Sequence, residues 1–374
     1  MSTELTSETV QPAQPGKVVF DGRGGELFVV YLVNILLTMV TLGIYRFWGK
    51  TRIREYVWSH LRYKGDAFEY TGTGMELFLG FLIVALVVFA PLFGLTIWAQ
   101  VLIGEGEDML AAAIIIPVVL AYIVLFPMAI YRAYRYRLSR SLWRGIRFGL
   151  SGKPSAYARK FIGYTLLQII TLGLATPYAR VRLYEILISN IWMGSGRFTF
   201  EAPWKPLMKR FTLLWVALVL TIGAAAIVQT QLIGIAAPQS PDFGNPDMFP
   251  PENSMLMAVA TMISSVGGIV VVCLYLYYSA FEYRYIVSHI KFENVGFSVD
   301  MKVRQLFGLY VVNGLLLLFT LGIAFPWVIV RILNFIAAKL EIHGEPDFEK
   351  ISQNTEEMPK YGEGLAEAFD IGAI

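Results

Sequence analysis

Four unbroken apolar blocks, each long enough to cross a lipid bilayer, constrain this chain more than any other feature. A helix needs about 20 apolar residues to cross the hydrocarbon core of a membrane. Only 16% of the 374 residues are charged, whereas soluble domains carry about 25%. The composition excludes a disordered, fibrous or disulfide-rich secreted chain. It predicts an integral membrane protein whose spans are Leu77–Ile103, Met109–Tyr131, Leu213–Ala237 and Met255–Phe281.

The basic residues are distributed very unevenly along the chain. No Lys or Arg lies between residues 65 and 131 or between residues 211 and 283. The connectors inside these two gaps, Gly104–Asp108 and Pro238–Ser254, are acidic. Positive residues that flank membrane spans stay on the cytoplasmic side. We therefore expect two membrane hairpins with outward-facing connectors, and we expect the basic segments and both termini to be cytoplasmic.

One short pattern occurs three times, in Asn34–Trp48, Tyr164–Tyr178 and Asn313–Trp327. Its core is Leu-Leu, three further residues and then Thr-Leu-Gly. Such self-similarity predicts internal repeats. The predicted organisation is a disordered N-terminal tail (1–16), repeat module 1 (17–73), transmembrane hairpin 1 (74–131), a basic segment with repeat module 2 (132–202), transmembrane hairpin 2 (203–281), a basic segment with repeat module 3 (282–351) and a C-terminal tail (352–374).

Short alternating segments flank each copy of the pattern and predict strands. Between the strands, an apolar helix ends at Thr-Leu-Gly, where glycine suits a helix end, and an amphipathic basic helix follows. The predicted fold class is an α-helical integral membrane protein in which three internal repeat modules are joined by two transmembrane helical hairpins, with small cytoplasmic β elements. The predicted strands are residues 17–21, 67–71, 145–150, 197–201, 296–300 and 346–351.

Two arrangements of the modules in the membrane stay open at this point. If each module dips into the bilayer and returns, every basic cluster remains on one side. If each module crosses once, the chain has seven crossings and the cluster Arg180–Arg210 is forced outside. The first arrangement satisfies the distribution of positive charge completely, so we favour it.

The run Asn34–Arg52 and the segment Phe68–Thr73 that follows it resemble the YjgN-like family of bacterial inner-membrane proteins. The resemblance extends over about residues 18–349, which is nearly the whole chain. It implies a multi-pass protein of the bacterial inner membrane whose biochemical role is not established. It implies no catalytic or binding residue.

Polar residues inside apolar segments are costly in lipid and often mark function. Two alternatives apply to them here: they line a shared polar cavity where the modules meet, or they hydrogen-bond neighbouring helices. The candidates for a cavity lining are Asn34, Thr41, Thr171, Asn313 and Thr320.

Basic residues at the ends of apolar segments predict contacts with anionic lipid headgroups. The aromatic and basic run Tyr131–Trp143 directly follows a span, so we assign it to membrane anchoring and not to nucleic acid. The candidates for headgroup contacts are Arg52, Arg135, Arg137, Arg140, Arg182 and Arg331.

The sequence carries no recognisable catalytic constellation. His60, His289 and His343 lack the spacing of metal ligands, and the phosphate-binding glycine loop and the Gly-x-Ser-x-Gly motif are absent. We therefore expect no enzyme, no cofactor and no metal site.

Two functions remain as hypotheses. The first is a passive pore or carrier for small solutes or lipids. The second is a non-catalytic membrane scaffold that docks a cytoplasmic partner or anionic lipid. An ion-coupled pump is disfavoured, because no charged residue lies deep in the four long spans. A protein partner and an oligomer are left open.

Overall fold

The computed structural model describes residues 16–236, 251–344, 351–353 and 369. Most of the predicted tails 1–16 and 352–374, and most of the acidic connector Pro238–Ser254, lie outside the described residues.

Ten strands in the described residues pair in chain order into one closed antiparallel barrel, in which the last strand pairs with the first. Each strand has only three to five residues. The strands are β1 Gly16–Phe20, β2 Leu61–Tyr63, β3 Asp66–Tyr70, β4 Ser141–Trp143, β5 Ile146–Leu150, β6 Ile191–Met193, β7 Gly196–Phe200, β8 Ile290–Phe292, β9 Val295–Val299 and β10 Leu340–His343.

The helices of the described chain lie between consecutive strands of the barrel. They are α1 Gly24–Val40, α2 Arg46–His60, α3 Gly74–Val84, α4 Ala90–Gly104, α5 Asp108–Ser139, α6 Pro154–Ile170, α7 Thr176–Ile188, α8 Lys205–Ala236, α9 Pro251–Ser288, α10 Val303–Phe319 and α11 Phe325–Lys339. A π-helical turn, Ala85–Phe89, joins α3 to α4.

The two edges of the barrel carry different connections. At one edge, the turn edge, two residues join strands such as β2 and β3. Lys64 and Gly65 both have positive φ there, as do Arg144 and Gly145 in the next such turn, and this geometry matches the twist of paired strands. At the other edge, the helix edge, each connection is a helical hairpin that leaves one strand and returns to its hydrogen-bonded neighbour.

The predicted fold class is wrong. The chain is not an all-α membrane fold built from three internal repeat modules with small β elements, because its strands close into a single barrel that joins every predicted module to the next. Five predicted strands coincide with β1, β3, β5, β7 and β9, and most of the sixth (346–351) lies outside the described residues. The sequence did not reveal β2, β4, β6, β8 and β10, because three or four residues close after a helix are too few for an alternating pattern.

Five hairpins in the described chain stand side by side on the helix edge. Contacts between α2 and α3, α5 and α6, α7 and α8, and α9 and α10 link each hairpin to the next, and α11 returns to α1. The hairpins therefore form a ring, which we call the hairpin ring. Of the described helices, four stretches are long and apolar enough to cross a membrane: Gly74–Gly104, Asp108–Ser139, Lys205–Ile227 and Ser264–Ser288.

The three shorter hairpins reverse at Thr-Leu-Gly. At the first, Leu42 and Gly43 have φ of 49° and 93°, and the Gly43 amide donates to the Thr38 carbonyl over 2.7 Å. Leu172 with Gly173 and Leu321 with Gly322 repeat this conformation. A bond of this kind ends a helix in the left-handed region, and a second helix begins within a few residues.

These short hairpins return to the side from which they start. The strands β1 and β2 flank α1 and α2 and are hydrogen-bonded to each other, with Val18 opposite Tyr63. A single crossing would place two paired strands on opposite sides of the bilayer. The geometry therefore agrees with modules that dip into the membrane and return, and it opposes seven crossings.

The first prediction concerns sidedness. In a Cys273→Ser background, a cysteine at Gly106, in the turn between α4 and α5, should react with an impermeant thiol reagent from outside the cell. A cysteine at Ser195, in a turn at the far edge of the barrel, should react only after the membrane is permeabilised. Outside labelling at Ser195 would refute a hairpin ring that enters the membrane from the barrel side.

The second prediction compares two glycines of one hairpin that differ in the sign of their backbone φ angle. Both Gly314 in α10 and Gly322 at the reversal have open space where a Cβ would lie, but only Gly322 has positive φ, at 87°. Gly322→Ala should lower the free energy of unfolding by about 1 kcal/mol or more. Gly314→Ala should leave it unchanged or raise it by up to about 1 kcal/mol. Thermal unfolding in detergent measures both, and equal effects would contradict the assigned turn.

Candidate functional site

The interior of the barrel is filled by large apolar side chains. Alternate residues of each strand point inward, as on β1, where Val18 packs inside and Val19 is 52% exposed. Tyr63, Trp143 and Phe292 are buried in this cluster. Aromatic rings contact one another across neighbouring strands, for example Phe198 and Phe292, whose centroids are 4.7 Å apart.

The interior is not completely filled. A cavity of about 250 Å³ lies within the barrel, and we call it the barrel cavity. Every residue that lines it is apolar or aromatic, and the polar side-chain atoms of the lining residues are the Tyr63 hydroxyl and the Trp143 N–H. The lining residues are Val18, Leu61, Tyr63, Phe68, Trp143, Phe148, Met193, Phe198, Phe292, Val295, Phe297, Leu340 and Ile342.

A short segment of chain beyond β10 lies across the turn edge of the barrel. Ile351 packs against the interior cluster, and the Ser352 amide donates to the Ser195 hydroxyl over 3.2 Å. The Gln353 side chain accepts from the Arg147 amide and donates to the Gly145 carbonyl, both over 3.1 Å. These contacts partly cover the end of the barrel that faces away from the hairpin ring.

Ionic groups at the helix edge join helices of the hairpin ring to each other. Glu76, at the start of α3, accepts from the Arg140 guanidinium over 3.0 Å and from the Tyr136 hydroxyl over 2.7 Å. Tyr136 is fully buried, and Arg140 is nearly so. The carboxylate therefore fixes the two ends of the first transmembrane hairpin, α3 and α5, to each other.

A second ion pair, in which only the carboxylate is buried, joins two neighbouring hairpins. The Arg180 guanidinium in α7 donates to the Glu282 carboxylate in α9 over 2.6 Å, and the Glu282 side chain is only 7% exposed. Burial lowers the pKa of Arg180, but the Glu282 carboxylate together with Tyr275 and Tyr184 more than offsets this effect, so the pKa is raised. Burial and the nearby Glu282 carboxylate also raise the pKa of Tyr184. Arg180 thus stays charged and supplies the cation that a buried carboxylate needs.

The predicted cavity-lining threonines bond within their own hairpins. The Thr41 hydroxyl donates to the Leu37 carbonyl over 2.7 Å and accepts from the Tyr45 amide over 2.9 Å. Thr171 and Thr320 make the same pair of bonds at the other two reversals. Their polar atoms therefore satisfy the backbone where each helix ends, and no recorded hydrogen bond among the described residues brings the three together.

The predicted asparagines Asn34 and Asn313 are both buried. The Asn34 amide donates to the Gly49 carbonyl over 3.1 Å and so links α1 to α2. Gly49 allows this approach, because a Cβ there would lie only 3.3 Å from the Asn34 side chain. That Asn34, Asn313 and the threonines line a polar cavity stays a prediction, although these bonds assign Asn34 to packing within its hairpin.

The predicted headgroup arginines divide into engaged and exposed side chains. Arg140 is held by Glu76, and Arg182 pairs with Glu185 over 2.6 Å. Arg331 and Arg52 are exposed, and Arg52 also lies over the Tyr45 ring. The remaining two contact neighbours in or next to α5: Arg135 the Gly152 carbonyl, and Arg137 the Tyr134 ring.

Sequence reasoning missed Glu76, Glu282 and the inward residues of the barrel. The two glutamates lie directly beside apolar blocks, Glu76 before Leu77 and Glu282 after Phe281. The sequence did contain an indication of these two ion pairs. Each glutamate is a single carboxylate at the edge of an apolar block, and basic clusters in other parts of the chain offer it partners. Among the described residues, no group of three His, Cys, Asp or Glu side chains is placed to hold a metal ion.

Comparisons with known proteins agree with this picture of a membrane protein. A family model described as "Bacterial protein of unknown function (DUF898)" matches residues 15–368. The chain is 25% identical over 390 residues to "Inner membrane protein YjgN" of Salmonella typhimurium (strain LT2), covering 91% of each chain. It is 24% identical over 160 residues to the protein of the same name from Escherichia coli (strain K12), covering 43% of this chain and 37% of the relative. No solved structure matches the chain.

The third prediction tests the buried pair between α7 and α9. Arg180→Leu alone leaves the Glu282 carboxylate buried without its cation, which should cost about 3–5 kcal/mol. Adding Glu282→Leu should recover most of this loss. The exposed pair of Arg62 and Asp21, with side chains 45% and 43% exposed, is the control, and its disruption should cost less than about 1 kcal/mol. Unfolding in detergent is the measurement, and equal losses at both pairs would contradict the assignment.

Proposed function

We propose that this chain is a passive carrier that holds the apolar part of a lipid, or a small apolar solute, in its barrel. The chain belongs to the DUF898 family, and the curated relatives that it matches are inner membrane proteins. The observation that carries this proposal is the barrel cavity, with its entirely aliphatic and aromatic lining inside a barrel that faces a ring of membrane hairpins.

The size and chemistry of the barrel cavity suit an apolar ligand. Its volume is about 250 Å³, whereas an engineered apolar cavity of about 150 Å³ already stays dry and binds benzene. Ligand sites are mostly lined by hydrophobic and aromatic side chains, with polar groups added to select polar ligands. A lining whose polar side-chain atoms are confined to Tyr63 and Trp143 favours an acyl chain or a comparable hydrocarbon.

The same lining argues against a pore for water or ions through the barrel. Ions cross membrane proteins where carbonyl or charged groups replace their hydration shell, and apolar constrictions exclude water. Trp143 and Phe148 help to line the barrel cavity, and neither offers an ion a ligand. The carrier is therefore the better supported form of the pore-or-carrier hypothesis.

In this proposal, the ligand enters the barrel from the bilayer at the helix edge. At the helix edge, Leu61 begins β2 directly after α2, and Leu340 begins β10 directly after α11, and both line the barrel cavity. At the turn edge, Ile351 packs against the interior. A hydrocarbon can thus enter from the membrane side without passing through water.

The tips of the short hairpins suit insertion into lipid. The leucines of the three Thr-Leu-Gly reversals, Leu42, Leu172 and Leu321, are 93%, 80% and 91% exposed. Burying a leucine side chain contributes about 1.5–3 kcal/mol. Three such tips, together with the four longer spans, hold the helix edge of the barrel against the membrane surface.

A scaffold that docks a protein partner has weaker support. Partners often add a strand to a free sheet edge, and a closed barrel offers no such edge. The first and last strands pair with each other, with Gly16 opposite Ile342. A scaffold would need to use the outer faces of the barrel instead.

The fourth prediction uses two adjacent residues of β1. Val18→Trp should fill the barrel cavity, whereas Val19→Trp adds the same ring on the outer face. The protein is reconstituted in nanodiscs with a photoactivatable fatty acid, and cross-linked peptides are mapped by mass spectrometry. We expect labelling of peptides that contain Tyr63, Trp143 or Phe292, at least tenfold weaker in Val18→Trp and unchanged in Val19→Trp.

The accompanying transfer assay measures movement of a fluorescent lipid between vesicles. Val18→Trp should slow transfer and Val19→Trp should not. If labelling stays confined to the outside of the helices, or if both variants behave alike, the carrier proposal is refuted.

A further inference from the structure

A second cavity, separate from the barrel cavity, lies where α6 leaves the barrel. Its volume is about 290 Å³, and its lining includes Tyr131, Lys153, Tyr157, Arg159, Lys160 and Asn190. We call it the α6 cleft. It lies at the foot of a short hairpin, because β5 ends at Leu150 and α6 begins at Pro154. This is the level at which the barrel meets the membrane surface.

The α6 cleft is strongly cationic. The surrounding segment Arg132–Lys160 contains nine Lys and Arg residues and no Asp or Glu. In the part of the chain that the structure describes, Lys153, Arg159 and Lys160 form no salt bridge, and all three are exposed. Clefts lined by charges of one sign focus the field and attract the opposite charge. The cleft is therefore built to receive an anion.

At the corresponding positions, each of the other two short hairpins has only one of these three charges. Lys153 precedes α6, and Arg159 and Lys160 follow six and seven residues later. The same positions are Arg23, Val29 and Val30 around α1, and Lys302, Gly308 and Leu309 around α10. If basic residues were needed only where each hairpin leaves the barrel, all three short hairpins should carry them equally. Three cations at α6 therefore require a separate explanation.

The rest of α6 identifies the class of anion. Beyond the cleft the helix continues toward its tip with exposed apolar residues, Leu166, Ile169 and Ile170. Ten residues of helix from Lys160 to Ile170 span about 15 Å. A phosphate at the foot and a hydrocarbon chain along the exposed face together match one phospholipid molecule, and basic pockets between membrane helices are known to take anionic headgroups.

We propose that the α6 cleft binds the phosphate headgroup of an anionic phospholipid through Lys153, Arg159 and Lys160, with an acyl chain along α6. The cleft shares no lining residue with the barrel cavity. The proposal therefore stands independently of the carrier function, and each can fail without the other.

The test compares two triple variants with equal loss of charge. One is Lys153→Gln/Arg159→Gln/Lys160→Gln in the α6 cleft. The control is Lys205→Gln/Lys209→Gln/Arg210→Gln at the start of α8, where three exposed cations lie outside the described cavities. Binding of phosphatidylglycerol and phosphatidylcholine to the purified full chain in detergent is measured by native mass spectrometry and by the thermal shift that each lipid causes.

The lipid titration with thermal-shift readout is run in 0.5 M NaCl, where the screening length is about 4 Å and diffuse attraction is weak. We expect the intact chain to prefer phosphatidylglycerol, and we expect the α6 variant to lose affinity by about fivefold per neutralised charge. The control should retain the affinity of the intact chain. An equal loss in both variants, or no preference for the anionic lipid, would overturn the proposal. If the α6 variant folds poorly without lipid, Lys160→Gln alone against Lys209→Gln repeats the comparison.

Inorganic phosphate and pyrophosphate test the alternative that the α6 cleft binds a free anion and not a lipid headgroup. If the cleft holds a lipid, neither should match the thermal shift caused by phosphatidylglycerol, because neither carries a chain for the α6 face. An equal shift from free phosphate, abolished only in the α6 variant, would overturn the assignment to a lipid.

Discussion

Closure of the barrel is the constraint on which the rest of the structure depends. A strand of three residues such as β2 or β4 cannot persist alone, since an isolated pair of strands is marginally stable in water. Pairing between β1 and β10 removes the last free edge, so every strand has two neighbours. Because the strands pair in chain order, each helical excursion ends beside the strand where it began. The chain can therefore enter the membrane only as hairpins, whatever their length.

That requirement explains why two kinds of hairpin coexist. The long ones carry enough apolar residues to cross the bilayer and return, whereas α1 with 17 residues is about 25 Å long and reverses at its tip. The Thr-Leu-Gly reversal uses a threonine hydroxyl and a glycine of positive φ to satisfy backbone groups that lipid cannot. The same barrel edge thus supports deep and shallow insertion without a change in topology.

The sequence predicts this membrane layout well and the barrel poorly, for a physical reason. The spans, the helix reversals and the same-side return of the hairpins follow from hydropathy, glycine and charge, which are local properties. The pairing of β3 with β4 joins Tyr70 to Ser141 across an entire transmembrane hairpin, and three-residue strands carry no periodicity by which to find it. For the same reason, the inward side chains that line the barrel cavity could not be identified before the strands were paired. Glu76 and Glu282 were overlooked because they lie just outside the apolar blocks.

The distribution of polar groups within the membrane-facing half then limits what the protein can do. The threonines bond the backbone at the reversals, Asn34 bonds α2, and the Glu76 and Glu282 carboxylates pair with Arg140 and Arg180. Polar groups buried at this depth are costly unless they are paired, and here the pairing serves the architecture. Among the described residues, the two surfaces that we propose for recognition are the apolar interior of the barrel and the cations of the α6 cleft. Hydrocarbon and phosphate are the two chemical halves of a phospholipid, so the two proposed sites share one class of ligand.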